Sequence, residues 1–462
     1  MTVTLDADLA GLADVRAQAR AARRAFEQLA GADQDTLDHF VRQMAKAGTK
    51  AAEELARLAV EETGYGVYEH KIYKNRYNTG FVARWMLERR AVGVLWVDED
   101  ARVTAVGAPM GVIAGIIPVT NPTSTTLFKS LAAVKAGNAI VHAPHPRAAR
   151  CTARAAEIMA EAAVSAGAPE GLIGCIREPT IQLTQELMRR EEIALVLATG
   201  GPGMVRAAYS SGKPTIAVGA GNVPVYVGSS VPDPGEAAEM ILTSKAFDNG
   251  TACVAEQSVV VHNTVASRFL TEFEARGAYW MTPEQQQALV RVLFDERGAL
   301  RPDAVGQSAA RLAELAGFTV PPGTRVLAAR LESVGPDVLL SREILGPVLS
   351  VYLVRDRDEG VQRCREVLAL GGEGHTCAVH AENPEEIAPF GELPASRILI
   401  NTPALFGGMG FSAEIDPSFQ LGTGTWSGSI CSDNVTPLHL INIKRIAHEV
   451  RPWRTIYDPV EL

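Results

Sequence analysis

From Pro109 onward the sequence alternates continuous apolar runs with helical segments, and this alternation constrains the fold more than any other feature. The apolar runs occupy residues 111–119, 138–143, 171–176, 193–198, 214–218 and 223–227. The segments between them that we predict as helices are 122–135, 148–165, 181–190 and 203–210. Strands buried on both faces carry unbroken apolar runs, so the pattern predicts an α/β fold with a doubly wound parallel sheet. Such sheets bind ligands beyond the carboxyl ends of their strands.

The remaining segments divide into three groups. Residues 7 to about 60 show the apolar spacing of helices, and residues 93–106 indicate two strands around an acidic turn. Because an isolated hairpin is marginally stable, these strands require a partner in the chain or in another subunit. A second α/β block begins at Pro234, and we predict a helix near 438–447 and an edge strand at 450–457.

Composition narrows the function classes. A chain of 462 residues is long for one hydrophobic core, so we expect more than one domain. The net charge is −9, and no block of basic residues favours nucleic acid or a membrane surface. Six scattered cysteines and nine histidines form neither a disulfide framework nor a metal-ligand pattern. With no signal peptide and no run long enough to span a bilayer, we expect a cytoplasmic protein without a metal site.

Cys253 is the first candidate for chemistry. It lies between the Asn249–Gly250 turn signal and the β-branched run Val259–Val261, which indicates a buried strand. A thiol is intrinsically nucleophilic, and backbone N–H groups at such a position can stabilise an oxyanion beside it. We therefore expect a nucleophile that works without a strong resident base. The alternative is a small buried hydrophobic residue, as many free cysteines are.

Three turns at predicted strand ends are candidates for binding. Residues 199–203, Thr-Gly-Gly-Pro-Gly, follow a strand and open a helix, where backbone N–H groups suit a pyrophosphate. Residues 219–224 form a second glycine-rich turn, and Asn121 before Pro122 lies in a third, where its amide is a candidate oxyanion donor. Each is also explained by ordinary turn chemistry.

Several stretches together resemble the aldehyde dehydrogenase superfamily, most closely its CoA-acylating branch. The stretches that carry the resemblance are 111–124, 143–147, 197–203, 210–214, 218–224, 247–250 with Cys253 and 256–258, 341–343 and 432–444. The resemblance implies that Cys253 attacks an aldehyde to form a thiohemiacetal, which is oxidised to a thioester. It also implies that Asn121 donates to the oxyanion.

The resemblance further implies an NAD site, with NADP as an alternative because Arg147 follows the strand end nearby. The residues it assigns to this cofactor are Thr199, Gly200, Gly201, Gly203, Gly219, Pro144, His145 and Glu343. Among these, Glu343 matches the glutamate that holds the nicotinamide ribose, and the 199–203 turn would lie along the diphosphate.

One departure from the family's sequence pattern distinguishes transfer of the acyl group to CoA from its hydrolysis. Hydrolytic relatives carry a glutamate before a Gly-Gly pair, and this base activates water; the run 217–222 here is Ala-Val-Gly-Ala-Gly-Asn, without a carboxylate. Since a thiol is a better nucleophile than unactivated water, we expect CoA to accept the acyl group from a short-chain aldehyde. The alternative is a hydrolytic enzyme that makes a free acid, with Glu256 or another carboxylate as base. A nucleotide-binding protein without catalysis is disfavoured by the set Cys253, Asn121 and Glu343.

The resemblance also implies a domain layout and an assembly. We expect a dinucleotide-binding domain at 1–92 and 108–232 with the helix near 436–447, and a catalytic domain at 233–435. Strands at 93–107 and 448–462 would pair across subunits, giving a homodimer or homotetramer. Association with a microcompartment shell stays open.

Overall fold

The computed structural model describes residues 7–457, and its described strands form three sheets. The strands are β1 Gly93–Asp98, β2 Val103–Pro109, β3 Val112–Ile116, β4 Ala139–Ala143, β5 Ile173–Cys175, β6 Ile193–Thr199, β7 Thr215–Val218, β8 Val223–Val227, β9 Glu256–His262, β10 Ala278–Trp280, β11 Val326–Arg330, β12 Val348–Val354, β13 Gly374–His380, β14 Ala395–Ile400 and β15 Ile441–Ala447.

The described helices cover the sheets, and none of them is long and apolar enough to cross a membrane. They are α1 Ala7–Gln28, α2 Gln34–Lys50, α3 Ala52–Thr63, α4 Tyr68–Arg76, α5 Ala83–Leu87, α6 Pro122–Lys135, α7 Ala149–Ser165, α8 Ile181–Arg189, α9 Pro202–Tyr209, α10 Pro234–Ala246, α11 Asn263–Ala275, α12 Pro283–Leu293, α13 Ala309–Leu315, α14 Arg357–Ala369, α15 Pro384–Ile387 and α16 Ala404–Gly408. A π-helical segment, Tyr77–Val82, joins α4 to α5.

The five-stranded sheet confirms the predicted doubly wound arrangement. Its order is β5-β4-β3-β6-β7, and every pair is parallel. All residues of β3 and β4 are buried, as their unbroken apolar runs predict. The helices α1, α6, α7 and α9 pack against its strands.

The second sheet has seven parallel strands in the order β10-β11-β12-β9-β8-β13-β14. It corrects one expectation, because β8 pairs with β9 and β13 rather than extending the first sheet. Only residues 219–222 separate β7 from β8, which is too short for the helical crossover that would return the chain to the same sheet. These four residues instead carry the chain from one sheet to the other.

The third sheet corrects the prediction for the C-terminal segment. Residues 441–447 form strand β15 instead of a helix, and β15 pairs antiparallel with β2, which also pairs with β1. The β-branched residues Ile441, Ile443 and Ile446 favour this extended structure. The edge strand predicted at 450–457 is wrong, since Trp453–Tyr457 is a 3₁₀ turn that follows Pro452. Residues 458–462, which the expected subunit-pairing strand at 448–462 includes, lie outside the described residues.

The two parallel sheets meet with opposite ends. Asn121, His145, Thr199 and Gly219 lie at or just beyond the carboxyl ends of β3, β4, β6 and β7, as expected for a doubly wound sheet. In the seven-stranded sheet it is the amino ends that face this edge: Gly221 precedes β8, Cys253 precedes β9, and His375 is the second residue of β13. The cleft between the sheets therefore collects residues that are far apart in the sequence.

Candidate active site

One cavity of about 500 Å³ lies in this cleft, and it brings together most of the predicted site residues. Those that line it are Cys253, Asn121, Thr199, Gly200, Gly201, Gly219, His145 and Glu343. Pro144 and Gly203 do not line it, although their neighbours His145 and Pro202 do. The remaining lining includes Tyr65, Arg147 and Leu345.

An unusual turn positions Cys253. Asp248, Asn249 and Gly250 adopt φ values of 52°, 51° and 68°, so three successive residues are left-handed. Asn and Asp tolerate this region better than other non-glycine residues, and Gly250 is required because a Cβ there would lie 2.6 Å from the Gly346 carbonyl oxygen. The Asn249–Gly250 signal therefore predicted a turn that is present, and this turn places Cys253 in the cleft just before β9.

The sequence analysis missed His375, whose Nε2 lies 3.3 Å from Cys253 Sγ. His375 is fully buried, and its Nδ1 lies 3.1 Å from Thr376 Oγ1. Arg397 donates to Thr376 Oγ1 and, through its guanidinium, to the His375 carbonyl oxygen. A hydroxyl oxygen that already accepts from Arg397 has a second lone pair for an Nδ1–H, which leaves Nε2 as an acceptor for the thiol.

The environment keeps both partners neutral. Burial raises the pKa of Cys253 to about 12, and the nearby Glu343 adds to this effect. Burial, together with the Arg397 charge, holds the pKa of His375 well below 6.5. The resting pair is therefore a thiol and a neutral imidazole, so the thiol requires a proton acceptor when it attacks. His375 is the candidate for this acceptor, and it is a weak base, so the expectation of a nucleophile without a strong resident base stays a prediction.

Asn121 contacts the turn that carries Cys253. Its Nδ2 donates to the Thr251 carbonyl oxygen and to Thr120 Oγ1, both at 3.2 Å. These bonds are at the long end of the normal range, which is common for catalytic donors before substrate binds. The amide therefore has the place and the donor groups that the sequence predicts for an oxyanion site.

The run 217–222 has a structural reason to carry glycine. A Cβ on Gly221 would lie 2.2 Å from the Cys253 carbonyl oxygen and 3.0 Å from His375 Cδ2. Its N–H donates to Glu343 Oε1 at 2.8 Å. Burial raises the pKa of Glu343 to about 7, against the opposing effect of this hydrogen bond. Among the described residues that line the cavity, Glu343 is the only carboxylate.

Glu256, the alternative base, is absent from this lining. It is fully buried, and its Oε1 accepts from the backbone N–H of Ala404 at 2.8 Å. Burial raises its pKa to about 7, opposed by hydrogen bonds from Ser244 and Ala404. These hydrogen-bond partners belong to α10 and α16.

The rest of the cavity suits a dinucleotide. Helix α9 begins at Pro202, and a Cβ on Gly201 would meet no atom within 4 Å, so the backbone there is open to a ligand. A helix N-terminus with free backbone N–H groups favours a diphosphate. Arg147 and Tyr65 also line the cavity. Arg147 donates to Tyr65 Oη at 3.1 Å and lies 3.8 Å from Asp303, so its guanidinium has partners within the protein.

One group of side chains in the described part of the chain has the composition of a metal site: Cys431, Asp433 and His439. However, His439 Nδ1 accepts a hydrogen bond from the Thr436 N–H at 3.0 Å. Nδ1 therefore carries no proton, and the proton of the neutral imidazole lies on Nε2, which is 3.3 Å from Asp433 Oδ2. Neither ring nitrogen then offers a lone pair to a metal, and the group lies outside the cavity.

Comparison with known proteins identifies the family. The model of the "Aldehyde dehydrogenase family" matches residues 2–412. The chain belongs to the aldehyde dehydrogenase family. A curated relative within it is the bifunctional aldehyde-alcohol dehydrogenase of Escherichia coli, 40% identical over 442 residues. That match covers 94% of this chain and 49% of the relative, so the chain spans about half the length of this bifunctional protein.

Solved aldehyde dehydrogenase structures share the fold. An acetylating aldehyde dehydrogenase from Geobacillus thermoglucosidasius is 43% identical, with a TM-score of 0.95, and the match covers 97% of this chain and 99% of that one. A propionaldehyde dehydrogenase from Rhodopseudomonas palustris, solved with bound CoA and an acylated cysteine, is 26% identical with a TM-score of 0.85. That match covers 94% of this chain and 97% of the other.

Proposed function

We propose that the protein is a CoA-acylating aldehyde dehydrogenase that reversibly converts a short-chain aldehyde, NAD and CoA to acyl-CoA and NADH. The observation that carries the proposal is that Cys253, whose thiol pairs with the buried His375, lines a cavity whose described lining holds no carboxylate except Glu343. A nucleophile and a base are present, but the glutamate that prepares water in hydrolytic relatives is missing. The acetylating and CoA-bound relatives support the same reaction.

The first half of the reaction forms the thioester. Cys253 Sγ attacks the aldehyde carbon while its proton passes to His375 Nε2, and the oxyanion of the thiohemiacetal is stabilised by Asn121 Nδ2 and the Cys253 backbone N–H. NAD, when bound, supplies the hydride acceptor. Glu343, Thr199, Gly200, Gly201 and Gly219 line the part of the cavity that would hold it.

The second half transfers the acyl group. His375 first releases the Cys253 proton to solvent, which accounts for the one proton that the overall oxidation produces. The neutral imidazole then accepts the proton of the CoA thiol, whose sulfur attacks the thioester carbon, and it passes this proton to the Cys253 sulfur that leaves. The same oxyanion donors serve this step because the charge develops on the same oxygen. Since a thioester is exchanged for a thioester, the chemistry runs in both directions.

The side chains around the thiol favour a short aldehyde. Ala252 and Val254, which flank Cys253, pack in an apolar cluster with Tyr77, Phe247, Leu405, Phe406, Met409, Phe419 and Leu421. Lys74 Nζ lies 5.7 Å from the centre of the Phe247 ring, so short anionic aldehydes stay open as substrates beside propionaldehyde. We expect kcat/KM to be higher for propionaldehyde than for a long aliphatic aldehyde, and the reverse order would contradict this assignment.

Assembly and location follow from the surface and the thiols. Val94, Val97 and Ile446 are exposed on one face of the three-stranded sheet, which is typical of a covered apolar face and favours a homodimer or homotetramer. The six cysteines are free thiols, which favours the reducing cytoplasm. Association with a microcompartment shell stays a hypothesis, tested by co-purification with shell proteins.

A single-turnover experiment tests the chemistry. The enzyme is mixed with propionaldehyde and NAD in the absence of CoA, and NADH and intact protein mass are followed together. We expect NADH formation to stop near one equivalent per site, with an acyl adduct mapped to Cys253, and CoA to remove the adduct. The Cys253→Ala variant should form neither. Continued NADH release with no adduct would overturn the proposal, because it would mean that water cleaves the thioester.

A further inference from the structure

The turn that carries Cys253 contains a buried carboxylate that the reaction above does not use. Asp248 is fully buried and accepts hydrogen bonds from Lys71 Nζ at 3.1 Å, Lys74 Nζ at 2.5 Å, Thr251 Oγ1 at 2.7 Å and the Val67 N–H at 2.7 Å. Two buried lysines on one carboxylate leave one positive charge uncompensated within this group. Because burying a charge costs free energy, this arrangement indicates a functional role for the group.

Lys74 connects this group to the candidate oxyanion donor. Its ammonium has three N–H bonds, and the structure places three acceptors around it: Asp248 Oδ2, Thr251 Oγ1 at 3.1 Å and Asn121 Oδ1 at 2.6 Å. Asn121 Oδ1 thereby accepts the shortest hydrogen bond made by that amide.

The chemistry of an ammonium settles the orientation of the amide. The two ends of an asparagine side chain have nearly the same shape, and only their hydrogen-bond partners distinguish them. A lysine donates and never accepts, so the end that faces Lys74 must be the oxygen. The N–H groups must then face the other side, where they donate to Thr251 and Thr120, which both line the cavity. An oxyanion formed in the cavity would replace one of these two long hydrogen bonds.

We infer that Lys74, held by Asp248, is a positioning residue that orients the Asn121 amide so that its Nδ2 donates to the oxyanion. The inference rests on the proposed function, because it needs Asn121 to act as that donor. The nearby positive charge also favours the negatively charged oxygen of the thiohemiacetal. Burial lowers the pKa of Lys74 to about 8, against the effect of Asp248, so at neutral pH the ammonium form predominates.

Lys71 offers a matched control within the same group. Its ammonium donates to the same Asp248 oxygen and is equally buried, but its second acceptor is the Thr120 carbonyl oxygen instead of Asn121. Lys71→Met and Lys74→Met therefore remove the same charge and the same partner of Asp248. They differ in the remaining acceptors, which are Asn121 Oδ1 and Thr251 Oγ1 for Lys74 and the Thr120 carbonyl oxygen for Lys71.

A double-mutant cycle tests the inference. We expect Lys74→Met to lower kcat by about a hundredfold, the cost typical of losing an oxyanion donor, with KM for NAD and CoA little changed. Lys71→Met should lose far less kcat at a similar melting temperature. In an Asn121→Ala background, Lys74→Met should cost less than about threefold more, because the residue it positions is already gone. Should Lys74→Met fail to fold, Lys74→Gln is measured in the same cycle.

Equal kcat losses in Lys71→Met and Lys74→Met would overturn the inference. It would also be overturned if Lys74→Met lowered kcat by the same factor in the Asn121→Ala background as in the wild type. The single variants separate this failure from a failure of the proposed function. Wild-type kcat in Asn121→Ala would remove the oxyanion role itself. A large loss in Asn121→Ala beside a normal Lys74→Met would remove only the role of Lys74.

Discussion

Cys253 Sγ and His375 Nε2 lie 3.3 Å apart, although 122 residues separate them in the sequence. They meet because β9 and β13 both run beside β8, so the amino ends of three parallel strands share one edge. Gly221, before β8, lies between them and leaves room for both. The pair joins a protonated thiol to a neutral imidazole, and this relationship determines how the site is activated.

His375→Ala should lower kcat by about a hundredfold or more, since general-base assistance contributes 10²–10⁴-fold. Both half-reactions need the imidazole, so pre-steady-state NADH release and acyl transfer to CoA should slow together. His380→Ala is the control, because His380 is a buried histidine at the other end of the same strand, away from the Cys253 thiol. Equal losses in the two variants would show that His375 acts only in packing.

The reactivity of Cys253 should increase steadily with pH. Its pKa is raised from 9.0 to about 12, so the thiolate fraction at neutral pH is smaller than in an ordinary cysteine. Alkylation by iodoacetamide, mapped to the Cys253 peptide by mass spectrometry, should rise about tenfold per pH unit from pH 7 to 10. A plateau below pH 9 would instead indicate a thiolate that is stabilised in the resting enzyme.

Gly221→Ala should nearly abolish activity. The added methyl would come within 2.2 Å of the Cys253 carbonyl oxygen, which is backbone and cannot move aside without displacing the thiol from His375. Gly391→Ala is the matched control, because a Cβ there meets no atom within 4 Å and Gly391 lies outside the cavity. Normal kcat in Gly221→Ala would contradict the described approach of the two strand ends.

Charge on the three-stranded sheet should shift the assembly state. Val97 and Ile446 share one face of the sheet and are exposed by 52% and 56%, so Val97→Glu with Ile446→Glu would place two carboxylates on the proposed interface. We expect a smaller species by light scattering at the same protein concentration. Ile181→Glu on α8 is the control for loss of an exposed apolar side chain. An unchanged mass would remove this surface from the interface.

Local sequence signals predicted much of the fold. Helix α6 matches its predicted bounds, 122–135, because Pro122 suits the first helical position and Gly137 follows the end. The unbroken apolar runs likewise predicted β3, β4 and β6 to within a few residues. The helix predicted at 438–447 was wrong because isoleucine residues spaced by two and three fit both the two-residue period of a strand and the 3.6-residue period of a helix. Pairing with β2 makes this segment a strand.

The candidate site was only partly predictable, for a different reason. Cys253, Asn121 and the 199–203 turn carry local signals, but His375 and Lys74 do not: each is an ordinary residue in its own element. His375 reaches the thiol only through the strand order of the seven-stranded sheet, and Lys74 only through the packing of α4 against the left-handed turn. Contacts of this kind depend on tertiary structure, which no local pattern encodes.

Steady-state turnover with and without CoA distinguishes CoA from water as the acceptor of the acyl group. NADH formation from propionaldehyde and NAD is measured in both conditions, and the organic product is identified by mass spectrometry. We predict turnover only with CoA, with propionyl-CoA as the product in equal amount to NADH, and no turnover in Cys253→Ala. Equal turnover without CoA, with propionate as the product, would contradict the account, because a base for water would then have to act in this cavity.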